Sequence, residues 1–168
     1  MRYPALNTGA VSPQEAAQNA IRAYCGWHIA PIVVETLTLD GDGSHRLALP
    51  SNMVHEVQSL SVDGVSVTDF WFSQDGWLHL NEPQVFPARP GSVKVTLKHG
   101  HEYIPEVTQV LNSFAQRMAL APAGNITSQR AGTQYVSFGT RDGEVTGGSL
   151  LSTEKELLAP YRLWSTPC

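Results

Sequence analysis

The hydrophobic period of this chain changes twice, and nothing else in it constrains the fold as strongly. Between Ser12 and Gly26 the apolar residues recur at helical spacing, and between Pro31 and Lys98 they alternate. From Pro105 to about residue 119 the helical spacing returns. A period of 3.6 places apolar groups on one stripe of a helix, and a period of two places them on one face of a strand. Strand-like segments bracketed by two amphipathic helices predict an α+β chain. The simplest architecture is a small helical bundle carrying an inserted antiparallel β-sandwich or barrel.

The boundaries follow from turn chemistry. Ser12-Pro-Gln-Glu15 combines an N-cap, a proline at the first helical position and a capping-box glutamate. Ala16, Ala17, Ala20, Ile21 and Tyr24 form the stripe that follows, and Gly26 ends it, giving a helix over 12–25. Pro31 to Leu39 reads as a strand running into Asp40-Gly-Asp-Gly43, a strong turn signal, with His45 to Leu49 as the returning strand. Val54–Val62, Val65–Phe72, Trp77–Leu80 and Ser92–Lys98 are the remaining strands, spread over 29–101. The strand Trp77–Leu80 is expected to pair as a hairpin with the one before it. Pro105 opens a second helix whose stripe is Val107, Val110, Leu111, Phe114 and Met118. Residues 124–150 are rich in Gly, Ser and Thr and hold one predicted strand, Thr133–Phe138, and a turn around Arg141-Asp-Gly143. Unstructured loops of this length are usually functional or become ordered on binding. This one is expected to contact another chain and to be disordered in an isolated monomer, with Gln129, Arg130, Tyr135, Phe138 and Arg141 as its candidate contact residues. The domains are therefore expected to be 1–28 with 102–168 as a helical scaffold, including a long loop at 120–151 and a docking tail, and 29–101 as the β-rich insertion.

The tail is Thr153-Glu-Lys-Glu-Leu-Leu-Ala-Pro-Tyr-Arg-Leu-Trp164. Thr153 and Glu156 read as a capping box, and Pro160 stops the helix almost at once. A helix of about two turns is not stable alone in water, so it needs a surface to dock on. Tyr, Trp and Arg dominate interface hot spots.

Composition excludes several classes. Charged residues make up 15% of the chain, against about 25% in typical soluble domains. That shortage fits a surface buried in an assembly, or a β-rich surface of Ser, Thr, Gln and Asn. The net charge is −4, with no Lys/Arg cluster, which argues against gripping nucleic acid. No apolar run reaches membrane-spanning length and no signal-peptide core is apparent, so the chain is expected to be cytosolic where it is made. Cys25 and Cys168 are the only cysteines, and a disulfide is not expected in a reducing compartment.

The catalytic and metal patterns are weak. His99-Gly-His101 places two imidazoles on one side of a strand, but no third ligand stands at a recognised metal spacing, and a strand end is the better reading. Asp40-Gly-Asp-Gly43 lacks the further acidic ligands of a calcium loop. Ser44 and His45 are strand neighbours pointing to opposite faces, so they do not form a nucleophile–base pair. Asn125-Ile-Thr127 is a glycosylation sequon without a secretory context. Trp71 and Trp77 support an alternative role, a binding module presenting aromatic rings to a carbohydrate or host surface ligand. No cofactor and no enzymatic activity are expected.

Three segments converge on one family. Ala20-Ile-Arg-Ala-Tyr-Cys-Gly-Trp-His28 runs into Pro31-Ile-Val-Val-Glu-Thr; Leu47-Ala-Leu-Pro-Ser51 and Val57-Gln-Ser-Leu-Ser-Val-Asp-Gly64 follow; and the chain closes with Glu156-Leu-Leu-Ala-Pro-Tyr-Arg-Leu-Trp164. Over roughly 12–164 the chain resembles the head-to-tail adaptor (head completion, connector) proteins of long-tailed bacteriophages, of the actinobacteriophage type. The resemblance implies a structural virion protein at the neck. Twelve copies would form a ring below the portal, extend the DNA channel toward the tail, and let DNA pass without sequence-specific binding. The implied partners are other copies of the chain, the portal protein and a downstream neck or tail-completion protein, with no membrane. Leu157, Leu158, Tyr161, Arg162, Leu163 and Trp164 are the implied interface with the portal or neighbouring subunits.

Overall fold

The first helix starts where its capping box requires. In the computed structural model, which describes residues 11–120, 128–131, 134–137, 140–141, 144–145 and 149–163, helix α1 spans Pro13–Cys25. The Ser12 hydroxyl accepts from the Glu15 N–H, and Glu15 Oε2 accepts from the Ser12 N–H at 3.0 Å, so two orphan donors are satisfied reciprocally. The same N–H holds the Glu15 carboxyl below its ordinary pKa. Gly26 closes the helix with φ +83°, its N–H donating to the Arg22 carbonyl.

Seven strands follow: β1 (Val33–Leu39), β2 (Arg46–Ala48), β3 (Val54–Val62), β4 (Val65–Val67), β5 (Phe70–Phe72), β6 (Trp77–Leu80) and β7 (Val93–His99). They form two antiparallel sheets, ordered β1-β7-β3-β4 and β2-β6-β5. The inward rows of both sheets meet in one core, in which Leu47, Leu60, Leu78, Phe86, Val95 and Leu97 are buried. This is the expected α+β fold with an antiparallel β-module.

Two strand assignments differ from the sequence pattern. The turn at Asp40–Gly43 does not make a β1–β2 hairpin: β1 pairs with β7 and β2 pairs with β6. The turn is held instead by the segment before β7, with the Gly43 N–H donating to the Phe86 carbonyl and the Phe86 N–H to the Ser44 carbonyl. The predicted strand 65–72 is split into β4 and β5, which lie in different sheets, so the chain turns a corner at Thr68–Asp69. The β3–β4 and β5–β6 hairpins are as expected. Asp63 (φ 54°) and Gly64 (φ 81°) supply the two left-handed residues of a tight hairpin turn. At Gly76 a Cβ would fall 1.9 Å from the Ser51 carbonyl oxygen, so no side chain fits there.

Helix α2 spans Pro105–Leu120 and buries Val110 and Phe114. The polar excursion after it contains two ladders. Strand β8 (Ser128–Ala131) pairs with β9 (Gln134–Ser137), and β10 (Thr140–Arg141) pairs with β11 (Glu144–Val145). The sequence pattern predicts only one strand here. Helix α3 is Ser152–Leu158, and a 3-10 turn at Ala159–Tyr161 replaces it where Pro160 removes a donor. The chain divides into two compact units, residues 1–21 with 106–158 and residues 22–105 with 159–168. Among the described residues no helix is long and apolar enough to cross a membrane.

Candidate interface of the C-terminal segment

The cap of α3 is not the expected one. Glu154 Oε2 accepts from the Leu151 N–H, and the Lys155 N–H donates to the Leu151 carbonyl, so Leu151 is the N-cap and Glu154 its partner. Glu154 does more than cap. The Arg117 guanidinium of α2 grips both of its oxygens, at 2.6 and 2.8 Å, and the Ser113 hydroxyl donates to it at 3.0 Å. Glu154 is buried, and Arg117 lies over the Phe114 ring. Burial acts to raise the Glu154 carboxyl, but Arg117, the Leu151 N–H and Ser113 more than offset it and hold the carboxyl below its ordinary pKa. This clamp fixes α3 on α2 across 37 residues of sequence.

The residues after α3 belong to the other unit and seat in it by their main chain. The Trp27 indole N–H donates to the Tyr161 carbonyl at 2.6 Å, and the Asn52 amide to the Arg162 carbonyl at 2.7 Å. The Leu163 N–H donates to the Cys25 carbonyl at 2.9 Å. The side chains add apolar and ring contacts. Arg162 lies over the Tyr24 ring, and Tyr161 meets His101 edge-on. Pro160 and Leu163 share a groove with Ala48, Leu49, Asn52, Gly76 and Trp77. Cys25 is a buried thiol, pushed up to about 11 by burial against the opposing charge of Arg162.

Four histidines lie near one another, and one of them, His101, meets the tail. His28 Nε2 lies 2.6 Å from the Pro31 carbonyl and His55 Nε2 2.7 Å from the Gly100 carbonyl. A carbonyl only accepts, so both imidazoles donate from Nε2. His99 is wholly buried, with Nε2 2.7 Å from Glu35 Oε1 and no hydrogen-bond partner for Nδ1 among the described residues. Burial lowers the His99 pKa, Glu35 partly restores it, and His28 and His55 lower it further. His101 is lowered by burial and then by His55. Trp27 stands about 6 Å from both His99 and His101. The sequence picks out the pair His99 and His101 but not the tail that lies against one of them.

The implied interface residues are placed unevenly. Leu158 is wholly buried in its own chain, whereas Leu157 is 44% exposed. Tyr161 and Leu163 are half-buried and Arg162 is exposed. Trp164 lies outside the described residues, as do Cys168 and the sequon residue Asn125. Of the excursion residues, Gln129 pairs with Val136, Arg130 with Tyr135, and Arg141 with Glu144, while Phe138 lies outside the described residues. The other candidates are occupied by structure. The Ser44 hydroxyl donates to the Arg46 carbonyl. Asp40 accepts from Gly91 and Asp42 from Ser44. Among the described residues no group of three or more His, Cys, Asp or Glu is placed to hold a metal ion. Trp71 is 53% exposed and stacks flat on His79, and the Arg46 guanidinium covers Trp77.

No protein-family model matches the sequence, and no curated protein matches it. Solved structures do match in fold, two of them chains of particle necks. A chain in the neck of a native GTA particle, computed with C12 symmetry, is 14% identical with a TM-score of 0.60, over 92% of this chain and 82% of that one. A chain in the neck of an empty GTA particle, computed with C6 symmetry, is 17% identical with a TM-score of 0.57, over 96% and 83%. GTA denotes a gene transfer agent, a phage-like particle. The likeness is one of fold, and the two structures it is drawn from are GTA necks, not the actinobacteriophage adaptors that the sequence resemblance implies.

Proposed function

We propose that this chain is a structural subunit of the head–tail neck of a phage-like particle. Copies of it close into a ring, twelve in number, which seats below the portal and extends the DNA channel toward the tail. The observation that carries this reading is the likeness in fold, over nearly the whole chain, to neck chains of particles computed with C12 and C6 symmetry. Low charge supports it, since a ring subunit is flanked on both sides. The net charge of −4 suits a conduit through which DNA slides without sticking. In this reading residues 1–28 and 102–168 are the scaffold and 29–101 the insertion.

The last segment is the anchor to the portal or the neighbouring subunit. Its main chain is fixed by Trp27, Asn52 and Cys25, the side chains of Leu157 and Arg162 are exposed, and the proposed contact set is Leu157, Tyr161, Arg162, Leu163 and Trp164. Native mass spectrometry of the purified protein, alone and mixed with a portal ring, tests the proposal. Closed rings, or twelve copies recruited to the portal, are expected. Leu157→Asp should abolish that assembly while leaving the melting temperature of the monomer unchanged. A protein that neither self-assembles nor binds the portal overturns the proposal.

A further inference from the structure

We infer that the β8–β9 hairpin of one copy adds to the open edge of β1 in the next copy, an inference that rests on the ring reading above. The acceptor is defined by the β-module. Strand β1 is bonded on one side only, to β7, and among the described residues no second strand joins it. An edge strand presents a row of unpaired N–H and C=O groups, and natural edges are usually blunted by bulges, lysines, prolines or short length. Strand β1 has none of these. It runs seven residues in unbroken register with β7, whereas β3 carries two register shifts. Its single charge, Glu35, is committed to His99. The remaining open edges belong to β2, β4 and β5, which are three residues each.

Burial points the same way. Val93, Val95, Leu97 and His99 of β7 are each 0% exposed. Their register partners Leu39, Leu37, Glu35 and Val33 on β1 are only half-buried, and Val34 on the other face is 53% exposed. One more strand would complete the burial of that row.

The donor is in the same chain. Strands β8 and β9 form a two-stranded sheet that no third strand joins among the described residues. A lone two-stranded hairpin is marginal in water, and a third strand or a packing surface makes it stable. Each strand is four residues, long enough to cover more than half of β1. Donor and acceptor are different surfaces, so the contact is heterologous and repeats head to tail until the ring closes. Strand addition of this kind draws affinity from main-chain hydrogen bonds, which suits a donor hairpin of mostly polar residues, Ser-Gln-Arg-Ala and Gln-Tyr-Val-Ser.

Disulfide trapping between two differently tagged variants tests this. One carries Val34→Cys, Thr36→Cys or Thr38→Cys, the other carries Gln129→Cys or Val136→Cys, and both carry Cys168→Ser. Mixed and oxidised, they are expected to give a mixed dimer for at least one pair, while mixtures of two acceptor variants give none. Native mass spectrometry of the same samples separates the two claims. Rings that form without any mixed disulfide overturn the edge assignment and leave the ring reading standing. A chain that stays monomeric and uncrosslinked, with and without portal, overturns both. A monomer of Val34→Cys/Val136→Cys that crosslinks within itself assigns the hairpin to its own chain and overturns the inference.

Discussion

The β-module and the helical unit are closed by different physics. The module is held by a continuous apolar core drawn from both sheets, with one wholly buried polar side chain on β7, His99. Among the described residues the helical unit buries fewer large groups, and a charged clamp, Arg117 with Glu154 and Ser113, fixes its last helix. An apolar core loses stability gradually as methylenes are removed. A buried ion pair fails abruptly, because either partner left alone is a desolvated charge. The two units should therefore respond to different insults.

The largest expected effect is in the module. Phe86→Ala removes a 0% exposed ring at the centre of the core and should cost about 4 kcal/mol. Amide exchange should rise across β1–β7 first, and equal loosening of α2 and α3 would mean the units do not differ as stated. Next is the clamp. Glu154→Ala strands Arg117, whose side chain is 23% exposed, and should cost about 3 kcal/mol by chemical denaturation. Replacing both partners together with apolar groups of similar size, Glu154→Leu with Arg117→Met, should recover most of that loss. A double variant as damaged as the single would show the clamp is not an ion pair in effect.

Acid separates the units in order. His99 and His101 have folded pKa values below the ordinary 6.5. The unfolded chain then binds more protons, so the stability they contribute is present above about pH 6.5 and is lost as pH falls below it. Glu154 has a folded pKa below 4.5, so its contribution is present above that value and is lost as pH falls through it. Monitored by segment, the module should weaken first and the clamp later, and His99→Gln should remove most of the earlier step. The smallest effect is at the tail. Trp27→Phe deletes the donor to the Tyr161 carbonyl and should cost about 1 kcal/mol. It should also raise the reactivity of the buried Cys25 thiol toward alkylation, and unchanged alkylation kinetics would show the tail holds without that bond.

Local chemistry was legible wherever it was decided locally. The first helix follows from Ser12, Pro13 and Glu15, and the Asp63-Gly64 turn from its two left-handed positions. Partner choice was not legible. Asp40-Gly-Asp-Gly43 announces a reversal, but whether β1 then meets β2 or β7 is settled by distant apolar rows. The corner inside Val65–Phe72 was hidden by its uniformly strand-like residues, although the core-facing position shifts there from odd (Val67) to even (Phe70, Phe72). At the last helix the capping box read at Thr153 and Glu156 gives way to Glu154, which Arg117, 37 residues away, holds in place. The candidate site was half-visible: the aromatic tail could be read, but its seat on Trp27 and Asn52 spans more than 100 residues.

That seat has a consequence for how such a subunit diversifies. Its polar bonds take the tail at main-chain atoms, the Tyr161 and Arg162 carbonyls and the Leu163 N–H. Main-chain atoms are common to every residue, apart from the N–H that proline lacks. The tail can therefore exchange side chains, and with them the surface it exposes, without giving up its attachment, so drift in a handful of codons can remake that surface on an unchanged scaffold.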